Sequence, residues 1–437
     1  MATLDRPQSP AHSRHPSPLR PLARTRLMSR RLVLGLLGAT GDPVAAWLRG
    51  SPRTDVYALY ERVRAAGPVV RSRTGLYAVT SRTTCDTVLR SPHFGVQTPD
   101  GAASLPDPLL AEVPAAVSAS FLEMDPPGHT RLRRVVAPAF RPANVRAWQD
   151  RIEATVHRII DRAERRTPRG APVNLMSEVA GPFPIAVISD LLGIPGVNAD
   201  RFARIGVVVG QALDGVRSVR HARALLAAGA DLNELLTRLL DERAAAPRDD
   251  ILSVIAAARS AGDATADDAV ATAGLLLVAG FETTVNLIGN AVAALHAHGL
   301  WQQLTDEPAL ASGVVEETLR HDPPVQATLR IAHAGGDLPG TPVRPGDHVL
   351  LLLAAANRDP AAYAEPARFR LDRRGEPDHL AFSSGIHDCL GASLARLEGA
   401  VALRALAQRW PHLRLVGGAR RRAGSTIRGY LDLPAVA

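Results

Sequence analysis

Apolar residues recur at helical spacing through most of this chain, and the longest such stretch is also the least polar. Residues 269–298, AVATAGLLLVAGFETTVNLIGNAVAALHAH, are apolar all round rather than along one stripe. That pattern predicts a helix running through a core, not one lying on a surface. Polar residues enter only at its middle, as Glu282, Thr283, Thr284 and Asn286, just after the small Ala279 and Gly280. Small side chains there predict a groove in which another group packs against the helix. The Thr283 hydroxyl is placed to divert the carbonyl four residues back and widen the helix locally.

The remaining pattern is again mostly helical. VYALYERVRAA after Asp55 reads as helix, Gly67-Pro68 as a turn, VVRSR and LYAVT as short strands, and the stretch ending at Leu89 as helix. Gly, Pro and Asp scatter through residues 91–120, which reads as a loose segment. Pro126-Pro127 marks a helix start, and His129 and Arg133 then lie four apart on one face. Helices fill residues 150–260, among them about 200–214 and 217–242. Glu317 and Arg320 share a face of the helix in VVEETLRHDPP, which Pro323-Pro324 stops. Arg330 opens a strand region, HVLLLL at 348–353 is a buried strand, and short strands follow Trp410-Pro411. The reading is mainly α, a large helical part with a smaller β-rich part.

Composition narrows this picture. The chain has 437 residues, 46% of them hydrophobic, with no repeat and no linker after about residue 50. Residues 42–437 read as a single domain, preceded at 1–41 by a disordered basic extension rich in Pro, Ser and Arg. The net charge of +8 is concentrated there, because residues 1–31 hold seven arginines against Asp5 alone. The near-neutral body gives nucleic-acid binding little support. Every basic residue is arginine, a bias of base composition rather than a functional signal. Arg30-Arg31 before LVLGLLGA has the look of a twin-arginine export signal, but the apolar run is too short to span a bilayer and meets no clear cleavage site. No membrane partner and a reducing cytoplasmic setting are expected, the latter because there are only two cysteines and no disulfide pattern.

One of those cysteines lies in FSSGIHDCLGASLAR, residues 382–396. A Gly- and Ser-containing loop runs straight into a helix carrying Leu390, Leu394, Leu397 and Val401 on one face. Cys389 therefore sits at a helix N-terminus, where free N–H groups and the dipole lower a thiol pKa. Such a thiolate is either a nucleophile or a metal ligand. Gly385 and Gly391 let the backbone approach something flat and bulky, and His387 supplies a donor for an anionic group beside it.

The pattern Phe-x-x-Gly-x-His-x-Cys-x-Gly, from Phe382 to Gly391, resembles the haem-ligand loop of the cytochrome P450 family. Ser383 departs from it, standing where many bacterial members have glycine. Three further stretches resemble family motifs in the same order. They are MDPPGHTRLRR, with Gly128 in place of the commoner glutamate, the central AGFETT, and Glu-x-x-Arg at Glu317 and Arg320. The resemblance covers residues from about 42 to the end and implies the triangular, mainly helical P450 fold. It implies haem b (iron protoporphyrin IX) with Cys389 on the iron, and His129, Arg133, Arg330 and His387 gripping its propionates. Phe382 and Gly391 belong to the same loop. Glu282 and Thr283 would manage protons, and Arg373 would complete a Glu–Arg lock behind the haem.

The implied activity is insertion of one oxygen atom of dioxygen into an organic small molecule, in bacterial secondary metabolism. Electrons would come from an external ferredoxin and ferredoxin reductase, because the chain has no flavin motif and no cysteine cluster. One alternative is a peroxide-driven or non-hydroxylating thiolate-haem enzyme, against which Thr283 and Glu282 argue. Another is a cysteine hydrolase using Cys389 and His387, but a histidine two residues away along a tight loop is poorly placed as its base.

Overall fold

The computed structural model describes residues 29, 32–51, 54–102, 116, 120–194, 202, 204–206, 208–209, 216 and 218–437. Its centre is the helix Ala266–Ala297, begun by a capping box in which Thr265 and Asp268 each bond the other's backbone N–H. Most of its side chains are buried, as the all-round apolar pattern requires. The helices Pro182–Leu192, Val219–Ala245, Ala311–His321 and Ala392–Arg409 pack against it. The central helix has the length and hydropathy to cross a membrane, but here it is the core of a helical body.

The β-rich part is built around a five-stranded sheet in the order Val69–Arg71, Tyr77–Val79, His348–Leu351, Thr328–Ala332, Phe94–Gly95. The expected strands at 69, 77, 328 and 348 are all present. Phe94–Gly95 is an addition, since sequence placed it in a loose segment. It pairs antiparallel with Ile331 and Ala332 and closes the edge of the sheet. The chain ends in short strands, and Pro434–Val436 joins Val173–Asn174 and Arg414–Leu415 in a small sheet.

Glu317 and Arg320 are buried rather than an exposed helical pair. Glu317 Oε1 accepts from Arg320 at 2.7 Å and from the Arg370 N–H at 2.7 Å, and Arg373 Nε donates to both carboxylate oxygens at 2.9 and 3.0 Å. Arg320 spends its other donors on the carbonyls of Asn357, Pro366 and Arg368. The expected third member, Arg373, is therefore in place. Two other expectations fall differently. The extension thought irregular to residue 41 is helical over 32–39, and most of the helix expected at 200–214, like residues 103–115, lies outside the described residues.

Candidate active site

The cysteine loop is a tight reversal. Cys389 N–H donates to the Phe382 carbonyl at 2.9 Å and Asp388 N–H to that of Gly385 at 3.1 Å, leading into the helix Ala392–Arg409 with Gly391 as N-cap. Gly385 has φ +73°, and a Cβ there would stand 2.3 Å from the Leu89 carbonyl oxygen. This glycine thus fits the loop onto the helix Arg82–Arg90 and does not face a flat group, as sequence had it. A Cβ at Gly391 would meet no protein atom within 4 Å, so Gly391 keeps that role. Ser383 has φ +63°, in the left-handed region, and its buried hydroxyl finds no partner. The departure from glycine therefore carries a cost, about 1 kcal/mol for a residue with a Cβ in that conformation.

Cys389 is accessible, yet burial by surrounding protein raises its thiol pKa. The Gly391 N–H, Arg133 and Arg396 pull the pKa the other way but do not prevail. The lowering expected from the helix terminus alone is thus reversed in the protein without a metal. Cys85 differs: it is fully buried, its Sγ lies 3.8 Å from the Val79 carbonyl, and it packs in the core beside the sheet.

Beside the loop, buried donors gather without acceptors. The His129 and His387 rings stand 4.3 Å apart. Neither nitrogen of the buried His129 has a partner, nor does His387 Nε2, whose nearest carboxylate oxygen, on Asp125, is 3.7 Å away. Arg330 is only 3% exposed, and among the described residues its guanidinium donates only within its own strand, to Thr328 Oγ1 at 3.1 Å and the Leu329 carbonyl at 2.9 Å. Burial lowers its pKa to about 10, leaving it cationic at neutral pH. Burial first, then Arg330, lowers His387 to about 4, and burial with Arg133 lowers His129, so both imidazoles are neutral. Buried donors without acceptors cost about 1–3 kcal/mol each, and an anionic acceptor relieves the cost.

Arg133 behaves otherwise than expected. Its guanidinium donates to the Asp388 carbonyl at 2.8 Å and carboxylate at 2.6 Å, gripping the residue before the cysteine. Phe382 lies under the Arg396 guanidinium, 4.6 Å from its ring centre. Sequence reasoning passed over Asp125. Its carboxylate accepts from the N–H groups of Val96 and Gln97 at 2.9–3.1 Å, which ties the sheet edge to the segment carrying His129. The only signal was an acid directly before Pro126-Pro127.

On the central helix, Ala279 is exposed and Thr283 half-buried, one turn apart on a single face. Thr283 Oγ1 donates to the Ala279 carbonyl at 3.1 Å, the diversion expected of it. Gly280 does not open that face, because a Cβ there would stand 2.8 Å from Ile188 on the helix Pro182–Leu192. Glu282 is buried in an ion pair with Arg422, and its backbone carbonyl accepts from Asn286 at 2.7 Å. Sequence reasoning missed Arg422, which belongs to a turn near the end of the chain.

The family model of cytochrome P450 matches residues 117–414, about two thirds of the chain. The chain belongs to the cytochrome P450 family. The cytochrome P450 monooxygenase PikC of Streptomyces venezuelae is 37% identical over 87% of this chain and 88% of its own length. Nocardicin C N-oxygenase of Nocardia uniformis is 34% identical over 90% of this chain and 96% of its own. Among solved structures, ligand-free CYP164A2 of Mycobacterium smegmatis superposes with a TM-score of 0.80 at 38% identity, covering 90% of this chain and 99% of the other. This cytochrome P450 is accordingly a monooxygenase whose cofactor is a thiolate-ligated haem. The observed residues fit such a group: an accessible thiol, neutral imidazoles with unpartnered ring nitrogens, a buried arginine bonded only within its own strand, and a glycine beside the sulfur with room around it.

Proposed function

We propose that this cytochrome P450 inserts one atom of dioxygen into an organic small molecule of bacterial secondary metabolism, in the cytoplasm. The relative named for N-oxygenation of nocardicin C supports that class of substrate. The observation that carries the site assignment is the accessible Cys389 thiol beside buried donors that lack an acceptor. Haem b is the cofactor, with Cys389 as its iron ligand and His129, His387 and Arg330 donating to its propionates. Arg133 serves the same site through Asp388 by fixing the loop before the sulfur, and Phe382 and Gly391 shape that loop. When bound, the haem supplies dioxygen activation, and thiolate ligation favours O–O cleavage.

The chain's own part is to orient and to move protons. Thr283 holds its hydroxyl on the helix face that exposes Ala279, from which Oγ1 can pass on a proton. Glu282 recharges it from solvent, which requires its ion pair with Arg422 to loosen. General acid help of this kind contributes roughly 10²–10⁴-fold. Ferredoxin and ferredoxin reductase deliver the electrons. The test starts from a ligand found by its shift of the haem spin state, then supplies isotopically labelled dioxygen with those partners. One labelled atom in the product is expected, and an unlabelled product contradicts the proposal. In Thr283→Ala, reductant use should continue while product per reductant falls sharply and peroxide rises. A fully coupled variant removes Thr283 from the relay.

A further inference from the structure

A cleft of about 360 Å³ lies between the helices Pro43–Arg49 and Val56–Ala65 and the segment that carries Arg422 and Arg428. One wall is apolar and includes Trp47, Val56 and Leu59. The indole N–H of Trp47 is taken by the Tyr60 hydroxyl at 3.1 Å, so the ring adds only apolar surface. The other wall carries the two arginines and Ser425, and among the described residues no carboxylate lines the cleft. None of its lining residues belongs to the set around Cys389, His129, Arg330 and Thr283.

The arginines of the cleft are short of acceptors. Arg422 is only 7% exposed; it donates through Nη1 to Glu282, while its buried Nη2 has no partner. Arg428 gives Nε to Asp322 at 2.7 Å, and neither of its terminal nitrogens bonds a described residue. Asp322 is already crowded, since it also accepts from the Tyr57 hydroxyl at 2.8 Å and from Arg421 at 3.3 Å. Three arginines, Arg421, Arg422 and Arg428, thus stand against two carboxylates, Glu282 and Asp322. A desolvated guanidinium nitrogen without an acceptor is costly, and an oxyanion brought to it relieves the cost.

We propose that this cleft is a second ligand site, which binds a small organic carboxylate with its charged group at Arg422 and Arg428 and its apolar body along Trp47, Val56 and Leu59. A carboxylate matches a guanidinium fork, two oxygens to two nitrogens, and the apolar wall favours a hydrocarbon body over a bare ion. The ligand competes with Glu282 for Arg422, so each weakens the hold of the other. Occupancy therefore loosens the ion pair that has to open before Glu282 can pass protons to Thr283. That effect on the chemistry rests on the relay proposed above, whereas binding does not.

The holoprotein is titrated with octanoate, and with octanamide as its uncharged counterpart, while tryptophan emission is followed. Octanoate should change the emission, and octanamide should bind about tenfold or more weaker. In Trp47→Phe the emission change should vanish, which places the ligand in this cleft. Arg422→Gln should weaken octanoate about tenfold or more with haem content unchanged. Glu282→Gln should tighten it about threefold or more, because the competitor for Arg422 is gone. The double variant, Arg422→Gln with Glu282→Gln, strands no buried acid and should bind as weakly as Arg422→Gln alone. Equal binding of octanoate and octanamide, full binding by either arginine variant, or weaker binding by Glu282→Gln overturns the proposal. So does an emission change that persists in Trp47→Phe. Displacement of octanoate by the ligand that shifts the haem spin state also overturns it, by putting octanoate in the substrate's place. Since the readout is binding, these outcomes hold whether or not Glu282 relays protons.

Discussion

Two of the buried polar clusters in this molecule, around Glu317 and around His129, differ in completeness. Around Glu317 every strong donor meets an acceptor: two arginines share the carboxylate, and the spare guanidinium nitrogens reach carbonyls. Around His129, His387 and Arg330 the donors are as deeply buried, yet two ring nitrogens of one histidine and one of the other have no partner. The first cluster is finished by the polypeptide and holds the fold. The second keeps ring nitrogens without partners, as the proposed site for an anionic group requires, and it lies beside the cysteine loop. Completeness of hydrogen bonding, rather than burial or charge, separates a structural site from a binding one.

The largest effect expected from breaking this contrast is at Glu317→Ala. It strands Arg320 and Arg373, and breaking a buried pair costs about 3–5 kcal/mol. Melting temperature should fall in cofactor-free and haem-loaded protein alike, and an unchanged cofactor-free melting curve would show that the cluster does not hold the fold.

Arg330→Met should act with opposite signs on the two states. Haem retention should fall roughly tenfold or more, since hydrogen bonds to charged groups are worth about 1.5–3 kcal/mol. The cofactor-free protein should hold or gain stability, because a desolvated cation is gone. Equal destabilisation of both states would make Arg330 structural.

Glu398 sharpens the comparison as a buried acid with neither kind of partner. Both its oxygens are unpaired, and burial raises its pKa well above the ordinary 4.5. As pH rises past 4.5 the unfolded chain releases this proton while the folded one keeps it, so stability falls until the folded pKa is reached. Glu398→Gln should therefore gain on the natural protein as pH rises, by at most about 1.4 kcal/mol per pH unit. Parallel melting curves across pH would contradict this. The smallest effect is at Ser383→Gly, which relieves a left-handed serine and should stabilise by about 1 kcal/mol in melting experiments. A loss of stability there would show that the serine hydroxyl is engaged.

The features visible in the sequence were local strings. Glycine, histidine and cysteine in one loop, an all-apolar helix with a polar middle, and proline stops all act within a few residues of themselves. The strands at 69, 77, 328 and 348 and the central helix were readable for that reason. Contacts between distant segments were not. Arg422 reaches Glu282 from near the C-terminus, Arg133 turns to Asp388, and Asp125 is claimed by the main-chain N–H groups of Val96 and Gln97, just after an edge strand that reads as loop. The Cys389 thiol was misjudged because a helix terminus is written in the sequence and the burial opposing it is not. Gly280 and Gly385 were assigned to the wrong neighbour for the same reason, since a glycine shows that something comes close but not what.

The central claim is that Cys389, and not Cys85, holds the haem iron. Its most direct test is the spectrum of the reduced protein under carbon monoxide, taken for Cys389→Ser and Cys85→Ser beside the natural chain. The account predicts the red-shifted Soret band of thiolate ligation in the natural protein and in Cys85→Ser, and its loss in Cys389→Ser. A Cys389→Ser variant that keeps that band would contradict it.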